Sequence, residues 1–117
     1  MWTNASSRNA KDHIQPLTLD DARATLDALS PVLFTYRADP DERHVGFIAE
    51  DVPDLVATRD RKGLSPMDIA AVLTRVVQEQ QVALEAQRKQ IAELAARIAA
   101  LEAANAAFIR RATPPAR

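Results

Sequence analysis

From Ser65 to Arg111 the sequence repeats every seven residues, and no other feature limits the fold of this chain as much. Ala70, Val77, Leu84, Ile91, Ile98 and Asn105 form one series. Leu73, Gln80, Gln87, Leu94, Leu101 and Phe108 form a second, three residues further on. Together they make an apolar stripe of mean period 3.5, which is the seam of a coiled coil. At 1.5 Å per residue, a single helix over this stretch runs roughly 70 Å. A chain of 117 residues has too little left over to cover so long a stripe. The stripe therefore calls for other copies of the same helix.

The ends of that helix are marked. Ser65 can cap it, Pro66 fits the first helical position, and Asp68 follows three residues after the cap. Arg110 and Arg111 place positive charge in the last turn, and Thr113-Pro114-Pro115 stops it. Between these ends the surface positions are rich in Ala, Glu, Arg and Gln, which favour helix. The seam alone leaves the copy number open. Ile or Asn105 in the first series with Leu in the second favours a parallel dimer, whereas Gln80 and Gln87 are polar layers that three chains can share. Arg97 and Glu102 can pair between neighbouring helices.

Composition narrows the function classes. One domain fits this length, and the part outside the helix is too small to bury much core alone, so oligomerisation should supply stability. With 15 basic and 16 acidic residues and no basic run, nothing suggests nucleic-acid binding. The absence of cysteine rules out disulfides and thiolate chemistry. No apolar run approaches a membrane span, and Met1 to Lys11 lacks the apolar core of a signal peptide. His13 and His44 are lone histidines suited to surface or packing roles, so no metal and no cofactor is expected. The location in the cell is left open.

Before the helix, Met1 to Gln15 is polar and irregular, with Trp2 its one large apolar residue. Thr18 caps a short helix, with Asp21 three residues on and Leu19, Ala22, Leu26 and Leu29 on its apolar face. Ser30-Pro31 ends it. Val32 to Arg37 alternates as a strand with Val32, Phe34 and Tyr36 on one face, Asp39-Pro40-Asp41 signals a turn, and His44 to Val52 resumes as a second strand. On strands Glu50 and Asp51 would point to opposite faces, which excludes them as a catalytic carboxylate pair. Pro53 to Val56 reads as a short turn, followed by the charged loop Arg59 to Gly63. The fold class expected is α+β: a small helix and a β-hairpin, then a long C-terminal helix.

Three pieces in this order resemble a known family: Leu29-Ser30-Pro31-Val32-Leu33-Phe34-Thr35-Tyr36, then Gly46-Phe47-Ile48-Ala49-Glu50-Asp51-Val52-Pro53, then the helix leading into a coiled coil. They are similar to the endosialidase-type intramolecular chaperone, found at the C-terminus of phage tail spikes and fibres and in some cellular proteins such as the myelin regulatory factor. Glu50-Asp51 stands where the family more often has Gln-Glu. Members carry a Ser followed five residues later by a Lys and cut themselves just before that Ser. Ser6-Ser7-Arg8-Asn9-Ala10-Lys11 has that spacing, with Ser7 where Asp or Asn is common. The resemblance implies Ser6 as nucleophile, Lys11 as general base, and Ala5–Ser6 as the scissile bond. A serine hydroxyl needs a base to take its proton, and a desolvated lysine can serve. Residues five apart lie on different sides of a helix and on opposite faces of a strand. The pair must then meet either through a turn or across subunits.

The domain division that follows is a cleavage-site segment over 1–15, a small α+β chaperone domain over 16–64, a coiled-coil helix over 65–111 and a disordered tail over 112–117. The resemblance implies a parallel trimer, with Leu73, Val77, Leu84, Ile91, Leu94, Ile98, Leu101, Asn105 and Phe108 in its seam. The expected function is an intramolecular chaperone that trimerises an upstream passenger in cis and is released by autoproteolysis. Only five residues precede Ser6, so any passenger would lie upstream of this sequence. The rival expectations are a trimerisation tip that never cleaves, and a coiled-coil adaptor, which leaves the hairpin without a purpose.

Overall fold

The computed structural model describes residues 5–113; Trp2 and, of the tail expected over 112–117, residues 114–117 lie outside the described residues. The fold is α+β, with helix α1 (Leu19–Ala28), strands β1 (Val32–Tyr36) and β2 (Asp39–Gly46), and helix α2 (Pro66–Ala112). The described residues fall into two compact units that divide between Val77 and Gln78.

The first unit builds its core from three places in the chain. Ala22 comes from α1, Val52 and Val56 from the segment between β2 and α2, and Ile69, Val72 and Val76 from the first turns of α2. Leu17, Leu26, Leu29 and Phe47 pack around them, half-buried. Helix α1 starts where the sequence signals it: Thr18 Oγ1 accepts from the Asp21 N–H at 3.2 Å, and Ala22 N–H donates to the Thr18 carbonyl at 3.1 Å. At the start of α2 the Ser65 carbonyl accepts from the N–H groups of Asp68 and Ile69, at 3.1 and 3.4 Å. The unit thus recruits the first turns of the long helix to complete a core that the hairpin and α1 are too small to make.

The hairpin departs from expectation in two respects. Its turn is Arg37-Ala38, and Asp39-Pro40-Asp41 lies within β2. The pairing runs Val32↔Gly46, Leu33↔Val45, Phe34↔His44 and Thr35↔Arg43, then jumps to Tyr36↔Asp39. That irregularity loops the residues around Pro40 out of the ladder, to which a proline cannot donate, and leaves a tight two-residue connection. The second strand also ends at Gly46 instead of Val52, with a 3-10 turn over Ala49–Asp51. Val32 opposite Gly46 is the last pair because Pro31 precedes it, and proline has no N–H to extend the ladder. Glu50 and Asp51 therefore sit together on a turn, both exposed, and not on a strand.

The second unit carries the remainder of α2, which runs to Ala112 without interruption. Thr113 closes the end, its N–H and hydroxyl both donating to the Ile109 carbonyl, at 3.0 and 2.8 Å. Among the described residues, no helix is long and apolar enough to cross a membrane.

Candidate functional site

A 3-10 turn over Arg8–Ala10 shapes the segment that carries Ser6 and Lys11. Ser7 caps it, with its Oγ accepting from the Asn9 N–H at 3.3 Å. Ala10 N–H donates to the Ser7 carbonyl at 3.0 Å and Lys11 N–H to the Arg8 carbonyl at 3.2 Å. This reversal brings the Lys11 side chain back over the start of the segment, where Nζ donates to Ser6 Oγ at 2.6 Å. Of the two routes open to the pair, the structure takes the turn, and the two groups meet within one chain. Ala5, Ser6 and Lys11 are all exposed. In this arrangement the amine is the donor; taking a proton from the hydroxyl requires the neutral amine and the reverse polarity.

Downstream, His13 adopts a left-handed backbone with φ 54°, which bends the chain before it reaches α1. Leu17 is then anchored to α2: Arg75 Nε donates to its carbonyl at 3.2 Å in a partly buried contact. No local pattern signals this tie, because Arg75 reads as an ordinary helix-surface residue and its partner is 58 positions away.

The remaining polar candidates have structural surroundings. His44 stacks on Phe34 with ring centroids 5.7 Å apart, meets the Tyr36 ring edge-on at 5.1 Å, and lies 3.9 Å from a Glu42 carboxylate oxygen. Phe34 and Tyr36 meet edge to face at 5.1 Å, so the aromatic side of the hairpin is a packed cluster. It lines an open groove of about 490 Å³ together with Phe47, Glu50 and Lys62. That groove holds no serine or cysteine beside a base, unlike the N-terminal segment.

The charged loop is built as a brace. The Asp60 carboxylate accepts from the Lys62 N–H at 3.1 Å and from the Thr58 hydroxyl at 3.0 Å. These bonds, the Lys62 N–H first, hold the Asp60 carboxyl below its ordinary value. Arg61, with φ 54°, donates to the Val52 carbonyl at 3.0 Å and pairs with Asp54. The loop so fixed delivers the chain to Leu64, which bridges back to Ala57 just before α2.

The seam candidates all lie on α2. Leu73 and Val77 belong to the first unit, and Leu84, Ile91, Leu94, Ile98, Leu101, Asn105 and Phe108 to the second. All are exposed, Phe108 to 69 %. A row of large apolar side chains left in water along one helix is a surface that seeks a partner.

Comparison with known proteins finds a family match for the first part of the chain. The family model described as the chaperone of endosialidase, Peptidase_S74, matches residues 6–58, a stretch that begins at Ser6 and includes Lys11, α1 and the whole hairpin. No curated protein and no solved structure matches the chain. The match over residues 6–58 is to the chaperone of endosialidase family and supports an endosialidase-type intramolecular chaperone there.

Proposed function

We propose that this chain is the C-terminal chaperone of a fibre or spike protein: it trimerises through α2, holds the upstream chains together, and is released by cutting itself between Ala5 and Ser6. The observation that carries the reading is the 2.6 Å contact between Lys11 Nζ and Ser6 Oγ, inside the segment matched by the family model. Intertwined β-rich fibres need distant strands from several chains in register, and such pairing is slow and prone to aggregation. A helical bundle at the chain end forms from local contacts and raises the effective concentration of everything attached to it. Removing the bundle afterwards leaves the fibre kinetically trapped.

The chemistry follows from the position of Ser6, which stands on the leaving side of its own scissile bond. Ser6 Oγ attacks the Ala5 carbonyl carbon as its proton passes to neutral Lys11. The C–N bond then breaks, and Lys11 returns the proton to the Ser6 nitrogen. Ala5 is left as an ester on Ser6 Oγ, and one water hydrolyses it to a carboxylate and a free hydroxyl. A fusion carrying a β-rich fibre segment upstream of Met1 tests the reading: mass spectrometry should find a new N-terminus at Ser6.

One observation favours a second reading, a trimerisation tip that is never cut. Ser6 and Lys11 are both exposed, and the amine donates to the hydroxyl, so their bond also works as a simple clip on the turn. An intact fusion after complete assembly selects that reading.

A further inference from the structure

Two serines stand side by side in the N-terminal segment, and their hydroxyls have different partners. Ser6 Oγ accepts from Lys11 Nζ at 2.6 Å. Ser7 Oγ accepts from the Asn9 N–H at 3.3 Å. Ser7 has φ −63° and ψ 145°, the extended backbone of a residue that caps a helical turn from outside it. Its side chain is thereby committed to the turn, while that of Ser6 is met by the amine.

The contact between Ser6 and Lys11 depends on that turn. Residues 5–16 are exposed throughout, and the turn over Arg8–Ala10 buries no side chain. Among the described residues, the hydrogen bonds of this stretch stay inside it. They are the Ser7 cap, the bonds from Ala10 N–H to the Ser7 carbonyl and from Lys11 N–H to the Arg8 carbonyl, and the contact between Lys11 and Ser6. No packing holds the turn closed, and 3-10 bonds have poorer geometry than those of an α-helix. A single exposed turn is marginal on its own, so one cap bond changes how much of the time it is formed. When it opens to extended backbone, residues five apart point to opposite faces and the two side chains separate.

We infer that Ser7 is a positioning residue for the cleavage pair: its hydroxyl caps the turn that carries Lys11 back to Ser6, and this leaves Ser6 as the serine that reacts. The inference rests on the reading of Ser6 and Lys11 as nucleophile and base, and adds the residue that holds them together. It also accounts for the choice of bond. Both serines lie within a few residues of Lys11, but the turn brings the amine to Ser6 and occupies the Ser7 oxygen with a backbone N–H. The cut therefore falls before Ser6 and not before Ser7.

Variants in a fusion with an upstream fibre segment test both parts. Ser7→Ala should slow the cut about three- to tenfold, the loss expected when a serine cap is removed. Ser7→Asn should restore the rate, because asparagine caps as well as serine does. Mass spectrometry should find the new N-terminus at Ser6 with either variant, and Ser6→Ala should give no cut before Ser7. Hydrogen exchange at the β1 and β2 amides should stay at the wild-type level, so the slower cut is not a loss of fold. Nuclear magnetic resonance on the 117-residue chain reads the same turn without any cleavage. There Ser7→Ala should weaken the Overhauser contacts between the Lys11 and Ser6 side chains, and Ser7→Asn should keep them. A Ser7→Ala fusion that cuts at the wild-type rate overturns the positioning role. A cut before Ser7 in the Ser6→Ala fusion overturns the division between the two serines. A wild-type fusion that stays intact removes the cleavage reading; the hold of Ser7 on the pair is then decided by resonance alone, and unchanged Overhauser contacts in Ser7→Ala overturn it.

Discussion

Val72 and Leu73 are consecutive on α2, yet Val72 is 2 % exposed and Leu73 is 41 % exposed. One step along a helix is a rotation of about 100°, and that step separates two faces with different tasks. Ile69, Val72 and Val76 close the core of the small unit; Leu73 and Val77, each one position after a core residue, begin the heptad stripe. The helix that completes the core of the small unit is thereby the helix that carries the exposed heptad stripe.

The two faces should respond separately to truncation. Val72→Ala should destabilise the small unit by about 2 kcal/mol through lost burial and the cavity left behind. Hydrogen exchange at the β1 and β2 amides should rise accordingly. Leu73→Ala should leave that exchange nearly unchanged under conditions where the chain is dissociated, and should weaken association in sedimentation. Equal effects of the two variants on hairpin protection would show that the faces are not independent.

Gly46 is held to glycine by Phe34. A Cβ built on Gly46 would lie 3.1 Å from Phe34 Cε1, close enough to push the ring aside. Gly46→Ala should cost about 1 kcal/mol and Gly46→Val about 1–3 kcal/mol, measured by urea denaturation. The shift should also appear in the His44 ring resonances, since His44 stacks on Phe34. Phe34→Leu combined with Gly46→Ala should cost less than the sum of the single variants, because the shorter side chain leaves room for the methyl.

How far the sequence foretold the structure depends on the range of the signal. Local signals were reliable: the Thr18 cap is made to Asp21 as its spacing predicts, and α2 runs within one residue of the heptad stretch at each end. The hairpin turn was misplaced because Asp39-Pro40-Asp41 is a strong turn signal by composition. In the structure those residues follow the Arg37-Ala38 turn and fall where the register breaks. The Ser6 and Lys11 spacing was legible, but their meeting depends on a 3-10 turn too short to leave a periodic pattern. The Arg75 bond to Leu17 had no local signature at all, since it joins residues far apart in the chain.

The brace at Asp60 should report pH. Its carboxyl is held below the ordinary value of 3.8, chiefly by the Lys62 N–H and then by the Thr58 hydroxyl. A carboxyl with a lowered value in the folded state favours folding above its unfolded value and loses that contribution as pH falls through the folded one. The Lys62 amide resonance should therefore titrate with an inflection below 3.8. Asp60→Asn should remove that inflection. An inflection above 3.8 in the wild-type chain would mean that the two bonds are not made in solution.

The sharpest test concerns cleavage. Ser6 Oγ and Lys11 Nζ are in contact, so in the proposed reaction chain assembly is not needed to bring nucleophile and base together. What assembly can add is exclusion of water from two groups that are exposed in the single chain. In a fusion with an upstream fibre segment, Ser6→Ala should abolish the cut by removing the nucleophile. Lys11→Ala should nearly abolish it, and Lys11→Arg should fail as well, because a guanidinium does not give up its proton. None of the three should change association, since all lie outside the seam. Hydroxylamine added during the reaction should intercept the ester at Ser6 and leave a hydroxamate on Ala5. Seam variants that dissociate the chain should cut more slowly if water exclusion is what assembly contributes, and equally fast if contact alone suffices. A fusion that remains intact after assembly, with Ser6 and Lys11 unchanged, removes autoproteolysis and leaves a chaperone that stays on its fibre.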